Sequence, residues 1–105
     1  MTIREAIKNC EVVGSMRAVM TAGPALTRDN VAGFNCSYLP IGRPRAFDEL
    51  MYNLLCGTGV GYSVERQYVE KLPLIPELNE SAITIVVADS KVGWATAFKQ
   101  LITYL

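Results

Sequence analysis

The stretch Phe34–Leu50, FNCSYLPIGRPRAFDEL, holds a strand pattern and the opening of a helix side by side. Phe34 to Leu39 alternates, with Phe34, Cys36 and Tyr38 on one side and Asn35, Ser37 and Leu39 on the other. Pro44 then precedes a helical pattern in which Phe47, Leu50, Met51, Leu54 and Leu55 form an apolar stripe. Asp48 and Glu49 suit the positive N-terminal end of that helix, and Gly57 stops it. One residue resists the pattern. Cysteine is usually a small buried hydrophobe, yet Cys36 stands between two polar residues that want hydrogen bonds.

Upstream, Thr2 and Glu5 make a T-x-x-E capping box. Ile3, Ala6, Ile7 and Cys10 follow on one face of a helix expected to stop near Gly14. Ser15 can cap a second short helix, Met16 to Ala22, ended by Gly23-Pro24, and Thr27 to Gly33 reads as a loop. Downstream, a strand is expected from about Gly61 to Val69, then the proline-bracketed loop KLPLIP. The β-branched run AITIVVA, Ala82 to Ala88, reads as a strand buried on both faces. Asp89 or Ser90 caps a last helix with Trp94, Ala95, Phe98, Leu101, Ile102 and Leu105 on one side. Strands alternating with helices indicate an α/β layer structure.

With 105 residues, half of them hydrophobic, the chain suffices for one domain. Ten basic and ten acidic residues cancel, so no charge excess invites nucleic acid or an anionic membrane. No apolar run is long enough to span a bilayer, and the N-terminus lacks the layout of a signal peptide. Cys10, Cys36 and Cys56 are odd in number and widely spaced. They fit neither a zinc site nor a disulfide framework, and free thiols indicate a cytoplasmic protein. Cys10 and Cys56 fall on helix faces and read as core. There is no histidine, which removes Ser-His-Asp and Cys-His catalysis and histidine-ligated metals. Any chemistry in this chain rests on thiols, carboxylates, hydroxyls or backbone.

The glycine cluster GTGVG, Gly57 to Gly61, lies in the wrong place for a dinucleotide fingerprint. It closes a helix and opens a strand, whereas a pyrophosphate needs glycines that close a strand and open a helix. There is no G-K-[ST] for a P-loop either. What remains is a backbone bare of side chains that something flat can approach, or simply a helix cap followed by a bulge. The last helix, ending ITYL, has neither glycine nor basic residues to close it and carries an exposed apolar stripe. Three or so strands do not cover that many amphipathic helices. The chain reads as a piece of something larger, or as a small homodimer burying those faces on itself.

The order of motifs adds a further reading. SMRAVMTAGPALTRDNVAGFNCSY, the helix FDELMYNLLCGTGVGYSV, then VEKLP and IVVADSKVGW resemble the adenosylcobalamin-dependent (class II) ribonucleotide reductases, most closely the ribonucleoside-triphosphate reductase type. The resemblance runs from about Ser15 to the end of the chain. It implies part of a ten-stranded α/β barrel, with residues 1–33 leading in as a helical segment and 34–105 supplying the first strands and helices. It also implies that Cys36 is one of two thiols that reduce a ribonucleotide by thiyl-radical chemistry. Asn35, Ser37, Gly57, Thr58 and Gly59 would then lie near the substrate. Arg66, Lys71, Asp89, Ser90 and Lys91 would meet a deoxynucleotide effector, although charged loop residues are commonly only solvated. A thiol suits the role because its S–H can protonate a leaving group and its sulfur can then give up electrons.

The resemblance further implies adenosylcobalamin bound elsewhere in the enzyme, thioredoxin or a similar dithiol as reductant, and no metal site in this chain. The radical-bearing cysteine, the second redox cysteine and the catalytic glutamate and asparagine of such reductases have no counterpart here. The expectation is a fragment or split subunit, inactive without a complementary chain. The competing expectation is a non-catalytic, reductase-derived fragment that binds a nucleotide or a partner.

Overall fold

The computed structural model describes residues 2–105. The N-terminal helix α1 (Ile3–Lys8) starts with the expected capping box, in which the Thr2 hydroxyl accepts from Glu5 N–H and the Glu5 carboxylate accepts from Thr2 N–H. It ends well before Gly14. Cys10 takes a left-handed conformation, φ 58°, while Glu11 N–H reaches back to Ala6 O and Cys10 N–H to Ile7 O. This is a Schellman closure with cysteine where glycine is usual. Cys10 is therefore exposed at a turn, not packed on a helix face.

Helix α2 (Met16–Thr21) forms as expected, although Ser15 gives it no side-chain cap. Gly23, at φ 96°, breaks the helix, and Pro24 opens a further, unexpected helix, α3 (Pro24–Arg28), whose last two residues fall in the expected loop Thr27–Gly33. Proline's missing N–H costs nothing at the first helical position, so the residue that ends one helix starts the next. A 3₁₀ turn, Asn30–Gly33, leads into the sheet.

The sheet consists of β1 (Cys36–Pro40) and β2 (Gly59–Ser63), parallel and in register from Cys36↔Gly59 to Pro40↔Ser63. A parallel pair needs a crossover, and α4 (Arg45–Leu55) provides it. The expected strand over Gly61–Val69 is displaced. β2 begins inside the glycine cluster and stops at Ser63, whose hydroxyl accepts from Glu65 N–H and turns the chain into α5 (Arg66–Val69).

No strand forms over Ala82–Ala88. A strand buried on both faces needs neighbours at its edges and layers above and below. The only other strands among the described residues are paired with each other, and Val86 is 87% exposed. The segment ends in a tight turn, Ser90 N–H to Ala88 O, and α6 (Lys91–Tyr104) follows, capped by the Ser90 hydroxyl accepting from Gly93 N–H. Gly93 lies directly against the Ala88 carbonyl, leaving no room for a Cβ.

Helix α6 packs on α4, and the buried residues of the two helices are three alanines, Ala46, Ala95 and Ala97, and Asp48. Phe34, Tyr38, Tyr62, Leu74 and Tyr104 are all exposed. The radius of gyration is 19.4 Å, against about 13 Å for a compact chain near this length. The accessible surface is 8316 Å², against about 5,800 Å² for a compact 11.5 kDa protein. No helix among the described residues is long and apolar enough to cross a membrane.

Candidate active site

Registered residues of a parallel pair share a face, so Cys36 and Tyr38 lie on the same side as Gly59 and Gly61. That side is open: Cys36, Tyr38, Gly59 and Gly61 are all exposed. Ser37, Leu39 and Val60, on the opposite side, are half-buried. A Cβ at Gly59 would come no closer than 3.5 Å to Asn35 O, and one at Gly61 no closer than 3.7 Å to Ser37 O. These are ordinary contacts, so the packing of the chain does not itself require either glycine. The Cys36 thiol thus sits on a strip of bare backbone.

The residues around it are tied down in ways the sequence did not reveal. Asn35 Oδ1 accepts from Arg17 Nε at 3.0 Å, and Gly57 O accepts from Arg17 Nη2 at 2.7 Å. Ser37 Oγ contacts Gly59 O at 3.4 Å, a weak bond. Thr58 differs from its expected role. It is 2% exposed, and its hydroxyl lies 3.0 Å from both Val31 O and Phe34 O, so it pins the 3₁₀ turn to the sheet and has no surface left for a ligand.

The amides of the cluster are also taken. Gly57 N–H donates to Leu54 O, Thr58 N–H to Asn53 O and Gly59 N–H to Asn35 O. A phosphate cradle needs free N–H groups, and these three offer none. Gly57 and Gly59 can serve a ligand only by leaving space.

The expected effector residues fall into two groups that no hydrogen bond or ion pair joins among the described residues. Arg66 faces Glu70 at 3.9 Å, and Lys71 stands 5.6 Å from the Tyr68 ring centroid. Asp89 is exposed, Ser90 is occupied as the cap of α6, and Lys91 pairs with Asp29. Lys91 Nζ is also 3.6 Å from Cys56 Sγ, which lies 3.2 Å from Asp29 Oδ2. Lys91 is thereby a structural cation.

Cys56 is buried, as expected, but among polar partners. Burial first, then its hydrogen bond to Asp29, pushes the Cys56 thiol up. The Lys91 ammonium holds the Asp29 carboxyl below the usual range and is itself raised by that carboxylate. Tyr52 is raised by its hydrogen bond to Cys56 and by burial. A thiol kept protonated is a poor nucleophile, and Cys56 is buried where Cys36 is exposed.

A cleft of about 360 Å³ lies away from Cys36, between α4 and α6. Its acids are already engaged, Asp48 with Arg45 and Glu49 with Arg43. No group of three or more potential metal-binding side chains occurs among the described residues.

The site is thus an accessible thiol at the start of the first strand of a parallel βαβ unit, on an open face shared with Gly59, Gly61 and the exposed Tyr38 ring. Compared with protein-family models, curated proteins and solved structures, the chain matches none.

Proposed function

We propose that the chain is part of a ribonucleotide reductase of the adenosylcobalamin-dependent, ribonucleoside-triphosphate type, with Cys36 as one of the two thiols that reduce the ribose. The observation that carries this reading is the exposed Cys36 thiol in register with Gly59 and beside Gly61, two glycines the chain's own packing does not demand. Such a face suits the approach of a flat, polar molecule such as a nucleotide.

In the reaction, the substrate's 2′ hydroxyl leaves as water and a hydrogen takes its place. Two thiols supply the two electrons and two protons and end as a disulfide, which thioredoxin or another dithiol then reduces. The partner thiol and the radical-bearing thiol, which borrows and returns the 3′ hydrogen, belong to the rest of the barrel. Adenosylcobalamin, which supplies the radical, belongs there too. Cys36 stands on an open face, so these residues do not enclose a group of that size.

The excess accessible surface and the unpaired β-branched run favour a chain completed by further barrel strands. Effector contact, on this reading, rests on Arg66, Lys71 and Asp89, because Ser90 and Lys91 are engaged within the chain. Three free thiols suit the reducing cytoplasm.

The test is to mix the chain with a second polypeptide carrying the remaining barrel strands, adenosylcobalamin, a dithiol and a ribonucleoside triphosphate. Deoxynucleotide formation is expected, and Cys36→Ser should abolish it. A folded mixture without turnover would overturn the reading. The second reading is a non-catalytic interaction fragment, favoured by the engaged amides of Gly57–Gly59. Under it, Cys36→Ser leaves partner binding unchanged.

A further inference from the structure

Arg17 makes two contacts that reach far along the chain. It lies on α2, which buries none of its own residues, yet its guanidinium bonds to Asn35, the residue before Cys36, and to Gly57, at the entry to β2. Asn35 O in turn accepts from Gly59 N–H. One side chain thus holds the beginnings of both strands.

The chemistry of this contact fixes a direction. A guanidinium only donates, so the Asn35 atom facing it is the carbonyl oxygen, and the amide nitrogen must point elsewhere. That nitrogen donates to nothing among the described residues, and Asn35 is exposed. Asn35 lies at the bend just before β1, outside the alternation of the strand itself, and its two N–H groups are unengaged one residue from the thiol. Gly57 allows the approach: at φ 82° it adopts a conformation that side chains rarely take, and a Cβ there would lie 3.3 Å from Arg17 Nη1.

We propose that Arg17 is a positioning residue for the Cys36 site: by bonding Asn35 Oδ1 and the Gly57 carbonyl, it turns the Asn35 amide so that its N–H groups meet an acceptor oxygen of the nucleotide sugar. This rests on the reductase reading. Lysine cannot replace arginine here, since one ammonium on a flexible stem does not reproduce a planar fork that serves two acceptors. Asn35→Asp separates the two functions of the contact. It keeps an oxygen for Arg17 while removing the outward donor.

Two experiments decide the matter. In the chain alone, the Asn35 side-chain amide is followed by ¹⁵N NMR in the wild type and in Arg17→Lys. Displaced and averaged amide signals are expected in the variant; unchanged signals would overturn the proposal. In the reconstituted enzyme, Arg17→Lys and Asn35→Asp should each raise KM by about tenfold, the size of one lost hydrogen bond, with a smaller change in kcat.

A merely structural role would lower the active fraction, reducing kcat at constant KM, and would leave Asn35→Asp like the wild type. Either result overturns the proposal. A wild-type mixture without turnover defeats the reductase reading alone. The amide signals still decide whether Arg17 orients Asn35.

Discussion

Two of the three cysteines show how neighbours set the behaviour of identical side chains. Cys36 is exposed beside glycines, whereas Cys56 is enclosed with Asp29, Lys91 and Tyr52. Under native conditions an alkylating reagent should label Cys10 and Cys36 first and Cys56 only after denaturation, as peptide mass mapping would show. Lys91→Met removes a cation that favours the Cys56 thiolate and should slow labelling of Cys56 further in the native protein; equal rates for all three thiols in the wild type would refute the assignment.

The same cluster fixes a pH dependence. Asp29 is lowered, so its contribution to stability is complete above about pH 3.9 and is lost as pH falls through the depressed value. Cys56 is raised, so its contribution is complete below about pH 8.5 and is lost as pH rises through the elevated value. Lys91 and Tyr52 are raised as well and extend the alkaline loss beyond about pH 10. Fluorescence of Trp94, the single tryptophan and a residue of α6, should therefore be flat between these limits and change outside them.

The helices divide by what holds them. Helix α6 depends on its first turn, where Ser90 caps it and Gly93 accommodates the Ala88 carbonyl. Ser90→Ala should cost about 1 kcal/mol in denaturant melts. Gly93→Ala should cost more, because a backbone carbonyl cannot yield as a side chain can, and circular dichroism should report lost helix. Thr58→Val tests the link between the 3₁₀ turn and the sheet; it removes the one hydroxyl donor that the Val31 and Phe34 carbonyls share, Val31 O keeping the Phe34 N–H, at about 1–3 kcal/mol. By contrast, Gly59→Ala and Gly61→Ala should leave the stability of the chain nearly unchanged, since their Cβ atoms meet only ordinary contacts.

At the scale of the molecule, the elongated shape and small-residue core describe a structure with much apolar surface still in water. Burial at about 25 cal/mol per Å² is the main stabilising term, and here it is limited to alanines, Ile41 and Cys56. Hydrogen exchange should accordingly be fast through residues 72–90, which lack regular structure, and slow along β1 and α4. Adding a complementary polypeptide should protect Ala82–Ala88. Protection of that run in the isolated chain would contradict the unpaired arrangement described here.

Local patterns determined the features governed by near neighbours. The capping box at Thr2, the helix after Pro44, the break at Gly57 and the Ser90 cap depend on residues a few positions apart, and all four were legible. The helix begun by Pro24 was missed because proline's role depends on which side of it the chain turns helical. The extent of β2 and the fate of Ala82–Ala88 were decided by pairing, since a β-branched run becomes a strand only where another edge is free to receive it. Arg17 and Asp29 carried no signal in the sequence, and Lys91 was expected to meet an effector, not Asp29. Their partners lie 18 to 62 residues away, and only folding brings a guanidinium or an ammonium to the oxygens it serves.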